Sequence, residues 1–494
     1  MPPMHDMLAP ELISMILSLL HREDLLHTSL VSRSFRVLSA RFLYTALVFR
    51  GPPAYAIDVD DENNLVEGVG EQRRARIEQL LTAFTPVGES TQLGTPGRND
   101  ATYWQSDVEP SAWIRSIQIV DYFKLSRQWL DLARLVKTAT TLKHIIMKTN
   151  YESCTDNDDL LLDNWYDSEI YRFWTELQRS ESLNALTLIL GPSIPLGLDQ
   201  FRNLTHLSIK SYSIDGVEDG VLPLTLTHLS LEYVHDIDDS FFHPALLANL
   251  CSLSLKNIPR EAWVIITKAI KSFASQTPRP TSSLRKLVMD PFPHGFACLT
   301  VHTWIPTLSH LFLTLSSPTY SALVDLAILS TSSSSREYIL DARTLLQVLG
   351  HVLPHLEGLI YTVGAGDVFI DAYDGTASHT SSAMTFHADH TLWLASFAEF
   401  KALRSLTHNL LLPNPGAIRV ACRETFTRMP TLNTFSIRTG TKKAFDFSRM
   451  VPNEDGTPEE GTSEFKVRTV LYYGSLGMTE VEARRGWPEA KLGW

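Results

Sequence analysis

Three histidines, His379, His387 and His390, stand close together in the chain, with Asp371, Asp374 and Asp389 beside them. Imidazole and carboxylate are ordinary ligands for a divalent metal, so a metal site can be drawn through this segment. A metal centre also needs fixed geometry and a supporting outer shell. The stretch DAYDGTASHTSSAMTFHADH has instead the composition of a polar loop, and it is read as one, with no metal assigned. Gly364-Ala365-Gly366 is a lone G-x-G without the further glycine of a phosphate-cradling turn. No G-x-S-x-G elbow occurs, and Cys154, Cys251, Cys298 and Cys422 stand in no catalytic or zinc-binding pattern. Thr95-Pro96 and Thr457-Pro458 offer hydroxyls for phosphorylation in a context that is also plain turn chemistry. No catalytic residue is assigned, and neither enzyme activity nor a cofactor is expected.

A second set of titratable side chains is spaced more regularly. His144, His206, His228 and His310 each stand one residue before the middle leucine of a short recurring phrase. Lys148, Lys210, Glu232, Lys256 and Asp290 stand further along the same phrases. The phrase is L-x-x-L-x-L, spelled TLKHIIMK, SLNALTLI, NLTHLSIK, TLTHLSLE, NLCSLSLK, SLRKLVMD and TLSHLFLT. Its anchors run from Leu142/Ile145/Met147 through Leu183/Leu186/Leu188, Leu204/Leu207/Ile209, Leu226/Leu229/Leu231, Leu250/Leu253/Leu255 and Leu284/Leu287/Met289 to Leu308/Leu311/Leu313. Weaker copies sit at Ile114/Ile117/Ile119, Leu356/Leu359/Tyr361, Leu403/Leu406/His408 and Leu432/Phe435/Ile437.

The last two anchors alternate, which puts them on one side of a short strand. Segments between the phrases, such as 241–250, 262–273 and 342–353, have helical periodicity. One strand-helix unit cannot bury its apolar side alone, whereas stacked units share a continuous core behind a parallel sheet. In such a stack the histidines form part of a column on the concave face. His206, Lys210, His228 and Glu232 are then the candidate partner-binding residues, suited to an acidic protein partner as the imidazoles protonate. The same polar residues would equally keep a sheet soluble. The competing architecture is a doubly wound α/β domain, which would also alternate apolar strands with helices. No glycine-rich phosphate turn follows any of the strands, and the phrase recurs many times.

The steps from Leu183 to Leu204, Leu226 and Leu250 are 21, 22 and 24 residues. They fall in the range of about 20–29 for leucine-rich repeats, which residues 111–440 resemble. That resemblance puts an asparagine three residues past the last anchor. It occurs once, as Asn150, while Gly191, Tyr212, Val234 and Ile258 fill the slot elsewhere, so a regular horseshoe does not follow.

The first fifty residues have another texture. Pro10 suits a first helical turn, and Leu12, Ile13, Ile16, Leu19 and Leu20 recur at helical spacing. Asp24 is placed to cap a second helix carrying Leu25, Leu26, Leu30 and Val31. Ser32 is placed to cap a third carrying Phe35, Leu38 and Phe42. So short a bundle buries little apolar surface and needs a partner or the next domain. Leu8, Pro10, Glu11, Leu12 and Ile16, followed by Asp24, Leu25, Ser29 to Arg33, Phe35 and Arg36, resemble the F-box. Ala9 departs from the proline usual in that family, and Phe35 from a frequent tryptophan.

Together the chain resembles F-box proteins of fungal type with leucine-rich repeats. The resemblance implies a substrate-recognition subunit of an SCF-type cullin-RING ubiquitin ligase, working in protein degradation. The F-box would dock on a Skp-type adaptor, and through it on cullin, by way of Leu8, Pro10, Leu12, Ile13, Ile16, Leu30, Val31 and Phe35. The repeats would hold a protein substrate. The alternative is a leucine-rich-repeat interaction scaffold outside any ligase, with a degenerate F-box.

The expected fold is α/β. A three-helix F-box (1–50) leads through a linker with one helix (51–110) to an irregular solenoid with a parallel sheet and outer helices (111–440), closed by a loop and cap (441–494). At 494 residues, 44% of them hydrophobic, the chain is long enough for several units and an extensive core. A net charge of -12 without basic runs argues against nucleic acid as partner. Four scattered cysteines suit a reducing compartment. With no signal peptide or membrane-spanning stretch in the sequence, a cytoplasmic or nuclear protein is expected.

Overall fold

The structure is a computed structural model that describes residues 10–20, 22–31, 35, 38–39, 42–50, 110–120, 129–148, 168–190, 197–211, 222–234, 237, 241–290, 301–329, 345–362, 394–409, 415–439, 443–449 and 465–471. The chain divides into two compact units, Met1–Thr225 and Leu226–Trp494.

The first unit opens with α1 (Pro10–Ser18) and α2 (Arg22–Val31). Pro10 takes the first helical position, where its missing N–H costs nothing. Asp24 lies inside the first turn of α2 instead of capping it. Its carboxylate favours the positive helix end, and its carbonyl accepts the Thr28 hydroxyl at 2.7 Å. Phe35, Leu38 and Phe42 are helical, while Ser32 and other residues of the expected third helix lie outside the described residues. Ile13, Leu17, Leu25 and Leu43 form a small core against which Leu20, Phe35 and Phe42 pack.

The sheet begins earlier than the repeats suggested. β1 (Ala46–Arg50) pairs in parallel with β2 (Ser116–Val120), so residues 46–50 supply its first strand. β3 (His144–Lys148), β4 (Ala185–Leu190) and β5 (His206–Ser211) follow, each parallel to the strand before. Ile117, Ile145, Leu186 and Leu207 are cross-strand partners in one row, and Ile119, Met147, Leu188 and Ile209 in the next. All eight are buried. The crossovers that parallel pairing demands are made by α3 (Trp129–Thr138) and α4 (Ser168–Arg179). Trp129 and Phe173 join these helices with ring centroids 5.0 Å apart.

In the second unit β6 (His228–Glu232), β7 (Ser252–Lys256), β8 (Lys286–Met289), β9 (Asp325–Leu329), β10 (Gly358–Thr362), β11 (Ser405–Asn409) and β12 (Thr434–Thr439) are parallel in sequence order. β13 (Lys443–Arg449) and β14 (Phe465–Leu471) then turn antiparallel, β14 falling on the stretch FKVRTVL. Helices α5 (Pro244–Asn249), α6 (Arg260–Ala274), α7 (Val301–Leu315) and α8 (Pro415–Arg428) lie between strands, as does a helical stretch at 345–352. Parallel strands in sequence order with intervening helices are compatible with stacked repeats.

One phrase was misassigned. Leu308, Leu311 and Leu313 lie on α7 and belong to no strand. The strand of that repeat is β9, where Leu326 and Ile328 pair with Leu287 and Met289.

The missing asparagine has a physical replacement. Val234 and Ile258 are buried in its slot, each following a residue in left-handed conformation, Tyr233 (φ 56°) and Asn257 (φ 50°). At four corners a hydroxyl one residue before the first anchor ties a repeat to the one before it. Thr141 donates to the Ile114 carbonyl at 3.0 Å, Ser182 to Leu142 at 2.8 Å, Thr225 to Leu204 at 2.7 Å and Thr431 to Leu403 at 2.9 Å. Each satisfies a carbonyl at the corner where the chain enters the sheet. Thr225→Val, which keeps the shape and removes the donor, is expected to cost about 1 kcal/mol in chemical denaturation, against no change if the bond is incidental.

Candidate interaction surfaces

α1 is apolar on two faces. Ile13 and Leu17 point into the small core described above. Leu12, Met15, Ile16 and Leu19, at the i, i+3, i+4, i+7 spacing of a second stripe, are 45%, 59%, 49% and 80% exposed. Leu30 and Val31, at the end of α2, are each 73% exposed. An apolar helix stripe left in water marks a surface shaped for a partner.

The expected docking residues therefore divide. Leu12, Ile16, Leu30 and Val31 are exposed, and Phe35 is half-buried against the small core. Ile13 is buried, a correction, since i+4 spacing to Leu17 turns it inward. The side chain of Pro10 is not among those described, and Leu8 lies outside the described residues. Met15 and Leu19 share the exposed stripe without having been among the expected docking residues, and their spacing from Leu12 is the signal that finds them.

The side of the sheet opposite the leucine rows differs between the units. On the first its described positions are mostly half-buried, with Ala46, Val48 and His206 exposed and Val120 and Thr187 buried. His144 and His206 stand at the entry level of β3 and β5, with Ala185 between them in register. Lys148, the last residue of β3, and Lys210, one before the end of β5, stand at the opposite level with Ile189 between them in register. His144 Nε2 lies 3.2 Å from the Thr187 hydroxyl, and His206 Nδ1 lies 2.9 Å from that of Thr205. Burial, and then the nearby His206, hold the His144 imidazole below its ordinary range. The two rings therefore resist being charged together.

On the second unit this side is closed beyond β6. His228 and Glu232 are half-buried on β6, while β7 and β9 are buried at every position. Val288, Ala327, Leu329 and Ile360 form an apolar cluster there. Lys256 and Asp290, placed by their spacing on a solvated face, are buried. Glu232 is the cross-strand partner of Lys256, and the Asp290 amide donates to the Leu255 carbonyl at 2.8 Å. Acid, base and acid thus stand at one level on successive strands, the arrangement a buried ammonium requires. These groups belong to the core. His310, expected in the histidine column, is exposed on α7 and leaves that column.

The histidine-rich segment and Gly364-Ala365-Gly366 lie outside the described residues. Among the described residues no group of three or more His, Cys, Asp or Glu is placed to hold a metal, and no helix is long and apolar enough to cross a membrane. The two described cysteines are free thiols, and burial raises that of Cys422 well above its ordinary range.

No curated protein matches the chain. Residues 6–44 match the family model of the F-box domain, a span that contains both N-terminal helices and the exposed apolar stripe, and this supports an F-box protein.

Proposed function

We propose that this chain is the substrate-recognition subunit of an SCF-type cullin-RING ubiquitin ligase. The observation that carries the reading is the exposed stripe Leu12, Met15, Ile16 and Leu19 inside the F-box match. An F-box domain implies, in general, a substrate receptor that docks on a Skp-type adaptor. The stacked strands beyond it are read as irregular leucine-rich repeats that hold a protein for ubiquitin transfer by other subunits. The chain contributes geometry and no catalytic residue, and it works inside the cell, in cytoplasm or nucleus.

Affinity purification of the full chain tests this. The adaptor and cullin are expected to co-purify in stoichiometric amounts. A folded chain that brings down neither refutes the reading. It would favour the interaction scaffold with a degenerate F-box, to which Ala9, in place of the usual proline, already points.

A further inference from the structure

We propose that the partly exposed face of β1–β5 seats an acidic, partly apolar segment of a partner protein. Capture as such stands on the face alone. That the captured protein is then ubiquitinated rests on the receptor reading.

The argument is charge complementarity on a rigid sheet. The chain carries a net charge of -12, yet none of the strand positions on this face from β1 to β5 is Asp or Glu. Its ionisable groups on β3 and β5 are His144, Lys148, His206 and Lys210. Strand geometry sets these four at the corners of a rectangle about 10 Å across the strands and about 13 Å along them. Ile146, Ser208 and Ile189, all half-buried, lie along its sides, and Thr187, at its centre, is buried.

A phosphate dianion is best met by several donors converging on one point, most often arginine forks. The two lysine ammoniums on one side of this rectangle, with imidazoles on the other and aliphatic surface between, suit carboxylates carried at intervals along a peptide that also has apolar side chains. An acidic protein is repelled by most of this chain, so one attractive face also fixes where and how it lands. The face of the second unit does not compete, because beyond β6 it is buried.

Selection from a random short-peptide display library on the full chain tests the proposal. The expected peptides carry clear net negative charge with apolar residues interleaved, and their binding weakens as salt is raised. In Lys148→Glu with Lys210→Glu, their affinity should fall at least about tenfold, while the melting transition and adaptor co-purification stay as in wild type. His206→Glu is the second variant should the lysine pair prove to matter for folding. Neutral or basic winners, no winners, or unchanged binding by a folded charge-reversed chain overturn the proposal. So does a phosphoserine-substituted peptide that binds far more tightly than its Asp parent, which would make phosphate the ligand. A wild-type dimer that charge reversal dissolves would make a second copy the occupant and equally overturn it. Loss of adaptor binding in wild type, with acidic peptides still selected, would sink the receptor reading and leave this one standing.

Discussion

Replacing Leu12 and Ile16 together by alanine is expected to weaken adaptor binding by about 2–5 kcal/mol, roughly 30-fold to several-thousand-fold in Kd. A few apolar anchors usually carry most of an interface, and these two sit one turn apart on the exposed stripe of α1. Both are about half exposed, so their loss should leave the melting transition of the free chain nearly unchanged. Ile13→Ala is the contrast. Being buried in the small core, it should lower stability first and binding only as a consequence. Titration of purified adaptor against each variant separates the cases. Equal affinity of wild type and the double variant would remove α1 from the docking surface.

Leu229→Ala is expected to destabilise the second unit by about 2–5 kcal/mol, a large share of the roughly 5–15 kcal/mol that holds a typical protein folded. Leu229 is buried in the core row of β6 beside its partner Leu253. Hydrogen exchange should show protection lost first in β6 and β7. Leu313→Ala is the matched control. The repeated phrase gave both leucines the same rank, but Leu313 is 56% exposed on α7 and its loss should change stability by less than about 0.5 kcal/mol. Equal costs for the two substitutions would mean that α7 is a strand after all.

That pair shows what could be read from the sequence and what could not. An L-x-x-L spacing serves a strand corner and a helix face equally well. Among the described side chains of α7 the buried ones are Leu308, Leu311, Phe312 and Leu315, a helical set hidden inside a strand-like spelling. Its neighbour SALVDLAIL carries the anchors Leu323, Leu326 and Ile328, the same Leu, Leu, Ile set as Leu204/Leu207/Ile209, and was passed over in favour of the leucine-only spelling just before it. The remaining phrases fell on strands because alternation at the last two anchors is a backbone property that insertions do not disturb. The second side of the sheet was harder. Lys256 and Asp290 look solvated along the chain, and only the register that sets Lys256 beside Glu232 explains their burial. The histidine column was half right for a similar reason: His144 and His206 share a sheet side, while His310 belonged to the misassigned phrase. The helical spacing of Leu12, Ile16 and Leu19 was legible, but Met15 was not picked out and the apolar residues of α1 were read as one face where the helix has two.

The hydroxyl ties have a consequence for how the protein is made. In each of them the donor lies later in the chain than the carbonyl it binds, by 27, 40, 21 and 28 residues. The backbone bonds at the same corners run the same way, from Lys143 back to Arg115 and from Asn184 back to Lys143. A ribosome adding about 5–20 residues per second therefore delivers each donor some one to eight seconds after its acceptor. Each of these corners finds its partner already synthesised and waits for nothing downstream. The order of translation and the order of assembly coincide, and a stalled chain should leave finished corners behind it.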